Sequence, residues 1–186
     1  VRRVDRLVIS HADNDHAGGA AGLLAALPVN DVLGAADIDG VASQSCERGM
    51  HWEWDGVGFA VLHPRAGLPG SDNNRSCVLR IAAAGRVLLL AGDIEAEAEA
   101  MLLASARGQL RADVLLVPHH GSRSSSTAAF VAAVQPRYAL VSAGHRNRFG
   151  HPHPDVLARY RAIGADILET ARHGAVSFLV DRLPGS

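Results

Sequence analysis

Four short apolar runs in this chain are each followed within three residues by a histidine or an aspartate. The runs span residues 7–9, 87–91, 114–117 and 138–142. An α/β fold gathers polar side chains at the ends of its strands, on loops that a rigid sheet holds in place, and builds its active sites there. The regularity therefore predicts an α/β protein with one site at the ends of its strands.

The order of the remaining elements predicts the same fold class. Two hairpins are expected first, and strands then alternate with helices until a closing strand. The hairpins span 51–62 and 77–91, the helices 94–106, 127–134 and 154–163, and the closing strand 176–180. Hairpins followed by alternating strands and helices indicate mixed sheets covered by helices in an α/β layered domain.

Length and composition suit one soluble domain over 1–186. Hydrophobic residues make up 48% of 186 residues, which is enough for a single core. The net charge of −1 gives no global basic surface for nucleic acid, and no apolar run approaches the ~18–20 residues of a membrane span. Cys46 and Cys77 have no CxxC partner and are expected to be buried thiols. Because the chain lacks an initial Met and reaches His11 so early, we expect it to be a fragment of a larger protein.

A cluster of metal-binding residue types follows the first apolar run. His11, Asp13, Asp15 and His16 lie within six residues of one another, ahead of a glycine pair. Imidazole nitrogen and short carboxylates are typical ligands of divalent metal ions. A loop that caps a helix with Asp and Asn is the alternative. We favour the metal site and expect Asp15, or Asp93 later in the chain, to orient the attacking water as well.

Two later strand ends carry further candidates. Asp93 follows the run at 87–91, where it could cap the next helix, bridge two metal ions, or do both. His119 and His120 follow the run at 114–117 in a His-His-Gly-Ser sequence. A lone histidine is more often structural, but with two other candidate clusters in the chain we predict a functional role for this pair, with His120 as a catalytic group.

The loops near the end of the chain are expected to contact substrate. His151 is the first candidate for holding the substrate or its leaving group in catalysis. The residues predicted to bind phosphate oxygens are Ser122, Asn147 and Arg146. Arg123, Arg146 and Arg148 flank these loops, where they could contact a DNA backbone or be ordinary solvated arginines.

Taken together, these motifs resemble the metallo-β-lactamase superfamily over the whole chain. Its usual signature is His-x-His-x-Asp-His, and here Asp13 replaces the second histidine. That replacement makes the chain similar to the C-terminal domain of the ComEC family of inner-membrane DNA-uptake channels. The other motifs that carry this similarity lie at 73–79, 92–93, 117–122 and 150–152.

The resemblance implies an αββα sandwich with two metal sites that share a bridging carboxylate. It assigns His11 and Asp13 to one ion, Asp15, His16 and His119 to the other, and Asp93 to both. Asn74 lies about where the superfamily places a third histidine, which leaves the first site one imidazole short. Carboxylate oxygens are harder ligands than imidazole nitrogens and therefore suit Mn²⁺ as well as Zn²⁺. One or two ions of Zn²⁺ or Mn²⁺ are expected. Family domains begin with strands bearing Asp-x-Gly motifs that this sequence lacks, so the first N-terminal strands are expected to be missing.

The implied activity is metal-dependent hydrolysis of a phosphodiester, because divalent ions lower the pKa of water toward 7. By resemblance the substrate is DNA, as the single strand that is not taken up in natural transformation, and no nucleotide cofactor is expected. The chain would then be an extracytoplasmic or membrane-attached domain of a bacterial inner-membrane protein, reaching the membrane only through the parent protein's segments. Two alternatives stay open: a hydrolase of another phosphodiester, and a non-catalytic DNA- or partner-binding module with a vestigial metal site.

Overall fold

A computed structural model describes residues 2–34 and 43–179 of the chain. The strands are β1 (Leu7–Ile9), β2 (Val32–Gly34), β3 (Gln44–Ser45), β4 (His51–Trp54), β5 (Val57–His63), β6 (Val78–Ala83), β7 (Arg86–Leu90), β8 (Val114–Leu116), β9 (Tyr138–Val141) and β10 (Asp166–Glu169). The helices are α1 (Asn14–Ala17), α2 (Ala20–Ala26), α3 (Ala96–Ser105), α4 (Ala128–Val134), α5 (Pro154–Ala162) and α6 (Thr170–His173). Short 3-10 turns occur at Asn73–Arg75, Arg107–Gln109 and Pro118–Gly121.

These strands form two sheets. The small sheet is parallel, in the order β1-β2-β3, and the large sheet has the order β10-β9-β8-β7-β6-β5-β4. Strands β4 to β7 are antiparallel neighbours, whereas β7 to β10 are parallel. Asp55 and Gly56 join β4 to β5 with φ of 49° and 78°, as a tight hairpin turn requires. The mixed sheet confirms the predicted α/β class.

Alternating side chains on β5 and β6 separate the two faces of the large sheet. Leu62 and Val78 pack into the main core with α3, α4 and α5. Val61 and Leu79 point the other way and pack with Leu33 of the small sheet. Helices α1 and α2 cover the far face of the small sheet. The layers are therefore helix, sheet, sheet and helix, which confirms the αββα sandwich.

The parallel part of the large sheet brings the predicted site together. Strands β7, β8 and β9 are adjacent and parallel, so the loops after them leave the same edge of the sheet. The loop after β1 is tied to this region because the Cys77 backbone N–H donates to the Ser10 carbonyl at 2.8 Å. Among the helices in the described ranges, none is long and apolar enough to cross a membrane.

Two local predictions are wrong. Cys46 and Cys77 are not thiols but form a disulfide, with a Cα–Cα distance of 5.9 Å. The pairing joins the residue after β3 to the residue before β6, an approach between sheets that spacing along the sequence cannot reveal. Residues 176–179, within the expected closing strand, belong to no strand, and the chain turns into α6 directly after β10. Residue 180 of that prediction lies outside the described residues.

Candidate metal centre

Ser10 sets the orientation of both histidines in the loop after β1. Its Oγ lies 3.1 Å from Nδ1 of His11 and 2.9 Å from Nδ1 of His16. When both Nδ1 atoms carry hydrogen and donate to this oxygen, each Nε2 presents a lone pair, the form of imidazole that binds a metal ion. His11 is completely buried, while the side chains of Asp13 and Asp15 are more than half exposed.

Asp93 lies at the centre of the site, on the loop after β7. Gly92 before it has φ +58°, and a Cβ at this position would come within 2.8 Å of the Ser76 Cβ, so only glycine fits. The close approach allows the Asp93 backbone N–H to donate to Ser76 Oγ at 3.0 Å. The Asp93 carboxylate is thereby held in a buried position among histidine rings.

His119 and His120 lie in a strained segment after β8. Their φ values are +49° and +54°, which costs about 1–3 kcal/mol for each non-glycine residue. His120 Nδ1 donates to the Ser142 carbonyl at 2.7 Å, and His119 Nδ1 lies 3.3 Å from Glu95 Oε1. Because a carbonyl or a carboxylate only accepts hydrogen bonds, both Nδ1 atoms carry the hydrogen and both Nε2 atoms are left free in the neutral rings.

All four histidines direct Nε2 at the Asp93 carboxylate. The distances to its nearer oxygen are 3.8 Å for His11, 3.2 Å for His16, 3.9 Å for His119 and 3.5 Å for His120. Two groups of potential ligand atoms, each within 4.8 Å of one another, are His11, His16 and Asp93, and Asp15, His16 and His120. Since the groups share His16, they form one continuous centre.

Charge and burial act in opposite directions on these groups. Burial alone would raise the pKa of Asp93, but hydrogen bonds and charge attraction from His120 and His16 outweigh it and hold that pKa well below its usual range. The hydrogen bond to Asp93 in turn raises the pKa of His120 to about 9, so without a cation its Nε2 carries a hydrogen, which a bound metal ion would replace. Burial, followed by the charge of His16, lowers the pKa of His11. The centre therefore combines an ionised carboxylate with a neutral buried imidazole.

A divalent cation fits this arrangement. His11 Nε2 is buried and has no hydrogen-bond partner among the described residues. Leaving such an atom unsatisfied costs about 1–3 kcal/mol, which a cation at its lone pair would relieve. The carboxylates of Asp93 and Asp15 would balance the charge of the cation. A mixed set of imidazole and carboxylate ligands suits Zn²⁺ and Mn²⁺.

Two predicted ligands lie outside the two groups of ligand atoms. Asp13 Oδ2 is 3.5 Å from His11 Nε2, close to the centre but on an exposed side chain. His119 was predicted as a ligand and His120 as a catalytic group, yet the structure places His120 in the second group. Its hydrogen bond to the Ser142 carbonyl holds the ring so that Nε2 lies 3.1 Å from Asp15 Oδ2.

An open cleft of about 620 Å³ gives access to the centre. Asp15, Asp93 and His120 line this cleft together with residues of the loop after β9. His151 lines the cleft, and its ring centroid is 5.8 Å from that of His119. His151 is therefore placed where it can contact a bound substrate.

The three predicted phosphate-binding residues are placed differently from one another. Ser122 is buried, contacts Ser124 Oγ at 3.0 Å and is not among the residues that line the cleft. Asn147 lines the cleft, but its side chain makes four hydrogen bonds to backbone atoms of loop 144–151. Arg146 lines a neighbouring cleft, and Arg148 is the arginine at the cleft of the metal centre.

Sequence reasoning missed Ser10 and Phe149. A hydroxyl directly before the first metal-binding histidine is a signal that could have pointed to Ser10, because such histidines usually bond a second polar group. Phe149 lines the cleft as an aromatic residue in an otherwise polar loop, and it is one of only four phenylalanines in the chain.

Asn74 is not part of either group of ligand atoms. Its Oδ1 accepts from the Glu95 backbone N–H at 2.9 Å and from the Ala98 N–H at 3.4 Å, so it caps the start of α3. His63 helps to hold Asn74 in place, because the Nε2 of His63 donates to the Asn74 carbonyl at 2.8 Å. Asn74, at the position where the resemblance places a third histidine, therefore serves to begin α3.

Comparisons with known proteins agree with this fold and centre. A family model described as Metallo-beta-lactamase superfamily matches residues 1–145. Competence protein ComA of Neisseria gonorrhoeae is 38% identical over 182 residues, which are 98% of this chain and 26% of that protein. ComE operon protein 3 of Bacillus subtilis is 35% identical over 193 residues, covering 96% of this chain and 25% of that protein.

The metallo-beta-lactamase fold protein YhfI from Bacillus subtilis has a similar structure, with a TM-score of 0.54 at 10% identity, covering 89% of this chain and 73% of YhfI. The chain itself spans about a quarter of the length of the curated relatives it matches. These findings confirm the resemblance that the motifs predicted.

Proposed function

The chain belongs to the metallo-beta-lactamase superfamily, and from this premise we propose that it is a metal-dependent phosphodiesterase that cleaves DNA. The observation that carries the proposal is the convergence of four imidazole Nε2 atoms on one buried carboxylate, at distances of 3.2–3.9 Å. A module that only binds a partner has no need for four histidines fixed by Nδ1 contacts with their lone pairs directed at one point. A metal-dependent hydrolase needs such a centre.

Two groups of side chains would hold the cations next to the cleft. His11, His16 and Asp93 would hold one divalent ion, and Asp15 and His120 would hold a second beside it, because the single lone pair of His16 Nε2 can serve only one ion. Such ions lower the pKa of water toward 7 and stabilise negative charge on a phosphoryl group. The Asp15 carboxylate is exposed at the cleft, where its Oδ2 is placed to accept a proton from the attacking water.

Substrate would be held by two further side chains of the cleft. Arg148 and His151 both line it, together with Asp15 and Asp93. A guanidinium group binds phosphate oxygens through two parallel hydrogen bonds, so Arg148 suits a phosphodiester better than a neutral substrate. His151 would add a hydrogen bond to the phosphate or to the leaving group.

The names of two relatives support a role in competence. One is named Competence protein ComA and the other ComE operon protein 3. We therefore propose that the domain acts in natural transformation and degrades the DNA strand that is not taken up. Because the chain corresponds to about a quarter of each relative, it would work as one domain, 1–186, of a longer membrane-associated protein.

The disulfide favours an extracytoplasmic position for this domain. Cys46 and Cys77 are both buried and joined to each other. Disulfides persist in oxidising compartments and are rare in the reducing cytosol. Under denaturing conditions without reductant, protein taken from bacteria should resist thiol alkylation at both cysteines. Alkylation of both would contradict the proposed location.

A nuclease assay with the purified chain tests the proposed activity. We expect cleavage of end-labelled single-stranded DNA with Mn²⁺ or Zn²⁺, none in EDTA, and bound metal in mass spectrometry. Asp15→Ala should lower the cleavage rate at least about a hundredfold. Asp166→Ala is the matched control, because it removes an exposed aspartate at the start of β10, outside the cleft.

The same preparation distinguishes the alternatives. Hydrolysis of bis(p-nitrophenyl) phosphate with no cleavage of DNA would indicate a phosphodiesterase for another substrate. Protein without bound metal that retains DNA binding and cleaves neither substrate would overturn the proposal in favour of a binding module.

A further inference from the structure

Phe149 exposes its ring at the mouth of the metal cleft. It is 66% exposed although it is a large apolar residue, and it lines the same cleft as Asp93 and His120. We propose that Phe149 is a stacking surface for an unpaired nucleobase, so that the domain binds single-stranded DNA next to its metal centre. This inference rests on the proposed function and assigns Phe149 to the recognition of its substrate.

The surroundings of the ring suit a nucleobase. Phe149 stacks on His151 with ring centroids 5.8 Å apart and an interplanar angle of 18°. The Arg148 guanidinium carbon lies 4.8 Å from the Phe149 centroid. Proteins that bind single strands combine aromatic faces for the bases with cations for the backbone, and these residues offer both within one short loop.

Asn147 holds this loop in one shape. Its Nδ2 donates to the carbonyls of Gly144 at 3.0 Å and His151 at 2.6 Å. Its Oδ1 accepts from the backbone N–H groups of Phe149 at 3.2 Å and His151 at 3.0 Å. The ring is therefore presented by an ordered backbone, and binding a base would not require the loop to become ordered first.

The loop is also fixed relative to the metal centre. The His153 backbone N–H donates to the Gly121 carbonyl at 2.8 Å, next to His120. Gly121 packs so tightly that a Cβ there would come within 2.6 Å of the Pro152 Cβ. Phe149 and the two histidines after β8 therefore keep a constant separation, so a base on the ring would set which phosphate reaches the centre.

A second cleft continues from the first and suits the DNA backbone. It has a volume of about 800 Å³ and shares Asn147 and His151 with the metal cleft. Arg146, Arg161 and Arg172 line it, together with Glu169, which pairs with Arg172 at 3.5 Å. Within the described residues, Arg146 and Arg161 form no salt bridge, so they are available to phosphate groups.

The exposed ring selects single strands rather than duplex. In a duplex the faces of each base are covered by its neighbours in the stack, so Phe149 could reach them only after the strand opens. The phosphates of both forms fit the arginines equally well. The distinction between the two substrates would therefore depend on the aromatic ring.

Binding of labelled oligonucleotides in EDTA tests this inference without cleavage. The probes are fluorescein-labelled oligothymidylate and an abasic strand of the same length, followed by fluorescence anisotropy with the 186-residue chain. Phe149→Ala should weaken binding of oligothymidylate about tenfold and leave the abasic strand unchanged. Phe149→Tyr should retain binding, because it keeps the aromatic face.

Phe178→Ala is the matched control. Phe178 is a second exposed phenylalanine, and it contacts Tyr138 at the start of β9, the opposite end of the strand from the metal centre. Its removal should change neither affinity. Melting temperatures of all variants establish that the fold is retained.

Three outcomes would overturn the inference: no loss with Phe149→Ala, an equal loss on both strands, or wild-type protein that binds neither strand. Hydrolysis of bis(p-nitrophenyl) phosphate by the metal-loaded chain separates these results from a failure of the proposed function. This control uses the wild-type chain alone, whose hydrolysis of the small diester reports the proposed function without any change at Phe149.

Discussion

Asp93 and Glu99 are both buried carboxylates in the same stretch of chain, but their surroundings differ completely. Glu99 on α3 is 0% exposed, and its two oxygens accept hydrogen bonds from the backbone N–H groups of Ser126 and Thr127. Asp93 is 4% exposed, and its oxygens face four imidazole rings, one of which has a buried nitrogen with no hydrogen-bond partner in the part of the chain that the structure describes.

The difference shows how to tell a structural buried charge from a functional one. Backbone N–H groups can only donate, so the site around Glu99 is complete and fixes the start of α4. Imidazole nitrogens can give up their hydrogen and bind a metal ion, so the site around Asp93 is complete only with a cation. Burial by itself does not distinguish the two carboxylates, whereas the chemistry of their partners does.

Asp93→Asn should have the largest effect on activity. Changes to the groups that merely orient metal ligands already cost 10- to 100-fold, so loss of the central carboxylate should lower the cleavage rate at least about a hundredfold and reduce bound metal. In EDTA the free energy of unfolding near pH 7 should also fall, because the variant gives up the attraction to His120 and His16 that holds the pKa of Asp93 low. Asp113→Asn is the control, since Asp113 binds Arg86 and the Val87 N–H outside the centre. Full activity of Asp93→Asn would remove the distinction between the two carboxylates.

Glu99→Ala should have the opposite result, with stability lost and metal retained. It would leave the Ser126 and Thr127 backbone N–H groups buried without acceptors, lowering the free energy of unfolding by about 2–4 kcal/mol. Urea denaturation measures this change. Glu97→Ala removes an exposed neighbour on the same helix and should change the stability by less than about 0.5 kcal/mol. A variant with Glu99→Ala that is as stable as wild type would show that those N–H groups do not need the carboxylate.

Ser10→Ala tests whether the histidines need their orienting contact. The variant removes the oxygen to which His11 and His16 point Nδ1, so we expect metal affinity to fall about 10- to 100-fold. Competition with a chelating dye measures the dissociation constant, and a thermal melt in EDTA checks the fold. Ser10→Thr keeps the hydroxyl and should restore most of the affinity. Equal affinities for Ser10→Ala and wild type would mean that packing alone orients the rings.

Most of the fold and the location of the centre could be predicted because both depend on local patterns. Apolar runs ending in His or Asp gave the strands β1, β7, β8 and β9, and the parallel neighbours in the large sheet then had to bring their ends together. The expected closing strand was wrong over residues 176–179, because its apolar pattern says nothing about whether a neighbouring strand is available to pair with it.

The details of the centre could not be predicted because they depend on contacts between distant segments. The Ser142 carbonyl decides that His120 faces Asp15, and no pattern within the His-His sequence reveals this contact. The disulfide between Cys46 and Cys77 likewise depends on how the two sheets approach each other. Residue types indicated the chemistry of the site, but side-chain directions required the structure.

Asn74→Ala should have the smallest effect, on stability alone. Asn74 belongs with Glu99 among the satisfied groups, because its Oδ1 accepts from the Glu95 N–H, and losing such a helix cap costs about 1 kcal/mol. Thermal denaturation should show this loss while metal content stays at the wild-type level. Asn73→Ala is the control, since the Asn73 side chain makes no hydrogen bond to the described residues. Loss of metal from the Asn74 variant would instead indicate that this asparagine is a ligand, at the position where the superfamily has a histidine. Asn74 would then belong with Asp93 rather than with Glu99.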